Sequence, residues 1–144
     1  MTEAINSTVI STFYQSGRDI SALPAGTRPV SSLDELVAVV AGTVLFINHR
    51  LVNRSEQMCE VVKVDSISPV RYHKSTPEGE GYIINPENGF VQVTKGHCLR
   101  YVIRGSTVNI DRDYQFESPY RARWKHRIPI NQNMVDTGEV FVLG

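Results

Sequence analysis

Residues 82–116 read as strands joined by strong turn signals, and any fold for this chain must accommodate them. Tyr82-Ile83-Ile84 runs into Asn85-Pro86-Glu87-Asn88-Gly89, and Phe90-Val91-Gln92-Val93 runs out again. Pro86 presets the φ that a turn wants at its second position, and Gly89 takes positive φ without steric cost. After a break expected at Lys95-Gly96 the pattern resumes. Leu99, Tyr101 and Ile103 share one parity, Arg100 and Arg104 the other. Gly105-Ser106 marks a turn, and Val108 and Ile110 then alternate with Thr107, Asn109 and Asp111. Period two with one apolar side is the pattern of a half-buried antiparallel sheet.

Other segments extend this reading. Thr43-Val44-Leu45-Phe46-Ile47 is a continuous apolar run suited to a buried strand. Leu51-Val52 is expected to resume pairing. Residues 58–64 predict a strand with Met58, Val62 and Val64 inward, and with Cys59, Glu60 and Lys63 outward or unassigned. Ile128-Pro129-Ile130 is extended, residues 131–138 form a loop, and residues 139–143 form a last strand. One helix is predicted, over residues 32–41. Ser32 is a good N-cap with Glu35 three positions on, Leu33, Leu36, Val37 and Val40 form one stripe, and Gly42 suits the exit.

Residues 1–30 are polar and turn-rich, with a short strand predicted at residues 8–14. They read as an extended N-terminal arm that orders against a partner or a second copy. Residues 31–144 then make a single β-rich domain. The fold class expected is mainly β, a small antiparallel barrel or sandwich with one short capping helix.

The 144-residue chain has zero formal net charge, so no global field favours nucleic acid or an acidic substrate. No apolar run reaches the roughly 20 residues of a membrane helix. Residues 1–6 lack the basic start and apolar core of a secretory signal, so a cytoplasmic protein is expected. Cys59 and Cys98 are expected to be free, buried thiols, and the sequence does not say whether they meet. The four histidines lack metal-ligand spacing. No metal, cofactor or catalytic residue is assigned.

The most distinctive segment is residues 120–127. Arg121, Arg123, Lys125 and Arg127 are interleaved with Tyr120, Trp124 and His126, and no acid interrupts them. With Arg100 and Arg104 upstream, these residues form the candidate binding surface, with Tyr101, Tyr120 and Trp124 as stacking groups. Guanidiniums fork onto phosphates and rings stack on bases, but arginine and tryptophan also dominate protein–protein contacts. The reading placed first is a non-catalytic interaction or assembly module, acting through self-association or a protein partner. A single-stranded nucleic-acid-binding β-barrel is the alternative, and an enzyme with a non-local site the third.

Overall fold

A computed structural model describes residues 5–49, 56–69, 72–76, 79–83, 90–115 and 127–143. The architecture is mainly antiparallel β, as the alternation predicts. The strands are β1 (Thr27–Pro29), β2 (Val44–Asn48), β3 (Gln57–Pro69), β4 (Tyr72–Thr76), β5 (Gly79–Ile83), β6 (Phe90–Arg104), β7 (Thr107–Gln115), β8 (Arg127–Asn131) and β9 (Val140–Leu143). One seven-stranded sheet runs β1-β9-β2-β3-β6-β7, and β8 joins it beside the first half of β6. Its end strands β1 and β7 do not pair with each other, so the sheet is open. The expected strand at Leu51-Val52 and the turn at residues 85–89 lie outside the described residues.

β6 does not stop at Lys95-Gly96. The register of β3 against β6 shifts between Lys63 and Ser66, and the strands continue through this irregularity. Gly96 fits there because a Cβ would stand 3.2 Å from the carbonyl oxygen of Lys63. β6 turns into β7 through Gly105-Ser106, with Gly105 at φ 61°. The register shifts again between Arg100 and Tyr101, and Ile110, expected on the apolar face, is exposed.

Both faces of the sheet are covered. On one, Leu45, Ile47, Val62, Val93, Cys98, Ile130 and Val140 form a core with Leu36 and Val135. Side chains from β2, β3, β6, β8 and β9 meet in this one cluster, so the sheet coils around it. The other face holds Val44, Phe46, Cys59, Val61, Tyr101, Ile103 and Phe141.

Helix α1 (Ser7–Gln15) covers this second face with Ile10 and Phe13. Asn6 caps it, its Oδ1 accepting from Val9 N at 3.0 Å. The strand expected at residues 8–14 is therefore a helix. β-Branched residues favour a strand locally, but burial of one side chain per turn decides the outcome. The segment also orders against its own sheet rather than a partner, for Ile5, Ile10 and Phe13 are fully enclosed. A 3₁₀ turn at Ile20–Ala22 and the buried Leu23 extend the cover.

Helix α2 is shorter than predicted, Leu33–Val37. Ser32 Oγ accepts from Glu35 N at 3.2 Å, while the Glu35 carboxylate reaches back to Ser31 N at 2.8 Å. Leu36 is buried as expected, but Val37 and Val40 are exposed. The helix ends before the seven-residue stripe completes, and Val39 packs inward instead. A third helix, α3 (Gln132–Asp136), occupies the expected loop, with Asn131 as N-cap.

Candidate functional site

The predicted basic surface divides. Arg100 donates through Nε and Nη2 to Asp111 at 2.9 and 2.6 Å. Arg104 donates through Nε to Glu56 at 2.7 Å. Arg127 is exposed at the start of β8, where the Gln92 amide oxygen, in its satisfied orientation, accepts from Nε at 3.0 Å. Arg127 lies opposite Thr94. That leaves about 20 Å of strand to Arg100 and about 33 Å to Arg104, at roughly 3.3 Å per residue. Arg121, Arg123, Trp124 and Lys125 lie outside the described residues, as does Tyr120. Tyr101 is only 3% exposed and packs in the core, so it is not a stacking platform. Its phenol pKa is raised by that burial.

A second constellation was not singled out by the sequence pattern. Glu60, on β3, is only 4% exposed and Lys95, on β6, 6%. Lys95 Nζ donates to Glu60 Oε1 at 2.7 Å. Glu60 Oε2 lies 2.7 Å from Nε2 of His49, the residue that follows β2. Cys98 Sγ donates to Glu60 Oε1 at 3.2 Å. Three residues, His49, Lys95 and Cys98, thus converge on one carboxylate. Burial alone would raise the Glu60 pKa. The His49 hydrogen bond and the Lys95 charge outweigh it and lower the value from 4.5 to about 2. The anionic carboxylate makes Nε2 the protonated nitrogen of His49 and leaves Nδ1 for other partners.

The one sequence signal for this cluster was parity. Glu60 shares its parity with Val62 and Val64, so a charge falls among inward positions. His49 and Lys95 sit at apparent turn and break positions, and nothing local links them to Glu60.

His49 also lines a cavity of about 350 Å³ with Asn48, Asn131, Asn133, Met134 and Glu139. The wall is built from the ends of β2 and β8, the start of α3 and the residue before β9. Asn48 is 1% exposed, its Oδ1 accepts from Tyr14 Oη, and its Nδ2 has no partner. Asn131 Oδ1 is taken by Met134 N at 2.9 Å. Glu139 is neutralised by Arg18, with Nη2 to Oε2 at 2.6 Å. The unengaged capacity of the Asn48 and Asn131 side-chain amides is therefore mostly donor.

Cys59 and Cys98 are both fully buried and free, and they lie in the two separate core clusters on opposite faces. No group of three or more acidic, histidine or cysteine side chains among the described residues is arranged to hold a metal ion. No helix among the described residues is long and apolar enough to cross a membrane. Comparisons with protein-family models, curated proteins and solved structures found no match to this chain.

Proposed function

We propose that this chain is an interaction or assembly module, with the β4–β5 hairpin as its principal contact element. One observation carries the reading. Among the described strands, β4 and β5 pair only with each other, from Tyr72 opposite Ile83 to Thr76 opposite Gly79. A two-stranded hairpin by itself is marginal in water. Docking against a protein partner, or against a second copy, would supply the burial that two strands lack. In sequence the hairpin lies between the long strands β3 and β6, which pair with each other up to Pro69 opposite Val91.

The arginines support the same reading. Arg100 and Arg104 are each turned to a carboxylate, which offsets the charge they would bring to a phosphate backbone. The nucleic-acid reading accordingly stands second.

The test compares the full chain with a variant in which residues 72–83 are replaced by Asn-Gly. Sedimentation over a wide concentration range should show association of the full chain. The shortened variant should remain monomeric and melt within a few degrees of the parent. Monomeric behaviour of the full chain would remove self-association. An unfolded variant would make the hairpin part of the fold's own core.

A further inference from the structure

We propose that the open edge of β7 is a contact with a second copy of this chain, the two β7 strands pairing antiparallel about Asn109. The argument starts from the two ends of the sheet. β1 is three residues long and ends in Pro29, which has no N–H with which to extend a ladder. β7 runs for nine residues, pairs with β6 alone among the described strands, and is exposed at every residue from Asn109 to Asp113. Ile110 stands there 55% exposed, an apolar side chain at a free edge. Arg104 and Thr107 flank the two-residue turn into β7 and so form a hydrogen-bonded pair, as do Val102 and Asn109 beyond them. Val108 and Ile110 therefore turn their backbone N–H and C=O to the open side.

Charge and the strand irregularity then select the register. A two-fold pairing about Asp111 or Arg112 sets like charges directly opposite each other, which is destabilising. One about Ile110 runs across the register shift that faces Arg100 and Tyr101. Pairing about Asn109 has neither fault. Val108 of each copy then faces Ile110 of the other, Thr107 faces Asp111, and Asn109 faces its own counterpart. The two apolar pairs fall on the side that α1 covers, since Val108 packs against that cluster and Ile110 lies opposite the buried Tyr101. A ladder this short holds a dimer only with further burial. The inference therefore rests on the assembly reading for its affinity: the β4–β5 hairpin adds the burial, and β7 sets the register.

The experiment is disulfide trapping of the full chain. Cys59 and Cys98 are buried, so an introduced surface thiol is the one that reacts. In this register Asn109 meets its counterpart at a non-hydrogen-bonded position, with Cα atoms about 4.5 Å apart and within reach of a disulfide. Asn109→Cys should form a covalent dimer in a glutathione redox buffer. It should do so at least about tenfold faster than Thr107→Cys, whose counterpart lies about 13 Å away along the strands. Ile110→Lys, at an exposed position, should leave melting near the parent's and weaken association of the full chain in sedimentation at least about tenfold. No covalent dimer, equal rates at residues 107 and 109, or unchanged association of the folded Ile110→Lys protein would each overturn the edge pairing and leave the hairpin contact standing. Association of the hairpin-shortened variant that Ile110→Lys abolishes would support the edge and overturn the hairpin as principal contact.

Discussion

Lys95 Nζ lies 2.7 Å from Glu60 Oε1, and both residues are more than nine-tenths enclosed. Two opposite charges have left water together, and His49 and Cys98 complete the hydrogen bonding of the carboxylate. Such a pair adds little over well-packed apolar side chains, but losing one partner strands the other. Lys95→Met should therefore destabilise the protein by about 3–5 kcal/mol in urea unfolding at neutral pH. The double variant Glu60→Gln, Lys95→Met should recover a large part of that loss. If Lys95→Met unfolds at the parent's urea midpoint, Glu60 reaches water and the pair is not a buried one.

The same carboxylate sets an acid limit. Its folded pKa of about 2 lies below its ordinary value of 4.5. A depressed folded pKa means that the unfolded chain binds the proton first as pH falls. The stabilisation is thus complete above about pH 4.5 and is lost progressively down to about pH 2. Urea midpoints measured from pH 7 to pH 2 should fall in that window for the parent. Glu60→Gln should start lower but show a shallower acid limb. Parallel limbs for the two proteins would assign acid sensitivity to other carboxylates.

Phe13 connects α1 to the sheet. Its ring meets Phe46 at 5.5 Å and Phe141 at 5.7 Å between centroids, both edge-on, and the residue is fully buried. Phe13→Ala should cost about 3–5 kcal/mol by removing the ring and leaving a cavity. Deletion of residues 1–24 should abolish cooperative melting, because Phe46, Val61 and Phe141 would face water. A truncated chain that melts near the parent would restore the reading of residues 1–30 as a detachable arm.

The sheet was legible because alternation and turn chemistry are local. β2 is an apolar run, Gly105-Ser106 marks the β6–β7 turn, and Ser32 places the start of α2. What failed depended on tertiary contact. Residues 8–14 carry strand-forming residues, but a bare sheet face containing Phe46 and Phe141 selects a helix that delivers Ile10 and Phe13. Val37 and Val40 fit a helical stripe, yet the chain leaves the helix after Val37. A charge in a strand usually faces water, so the sequence points Glu60 outward or leaves it unassigned, and only the fold brings Lys95 and His49 to it. The arginine parity on β6 is readable, and so is nearby Asp111 as a partner for these arginines, which Arg100 engages; that Glu56, 48 residues back, engages Arg104 is not.

The two thiols should be inert in the folded protein. Burial pushes Cys59 up to about 12, and burial with the neighbouring Glu60 charge pushes Cys98 well above the usual thiol range. Both are sealed in separate cores. An aromatic disulfide reagent at about pH 8 should titrate neither thiol until denaturant is added, and then both. Rapid labelling of one thiol without denaturant would show that its face of the sheet opens.

The last expectation concerns nucleic acid. Exposed ion pairs are worth about 0–1 kcal/mol, so phosphates compete for Arg104 at modest cost. Arg100 is held by two hydrogen bonds to Asp111 and is the harder to release. Each phosphate engaged releases counterion, so a real interface must weaken steeply with salt. Fluorescence anisotropy of a labelled single-stranded oligonucleotide should therefore show weak binding at low salt with a shallow slope. Arg100→Gln, Arg104→Gln should change that affinity by less than about threefold, because Asp111 and Glu56 already offset these charges. A steep salt slope that the double variant abolishes would reverse the order of the two readings and make this face of β6 a nucleic-acid surface.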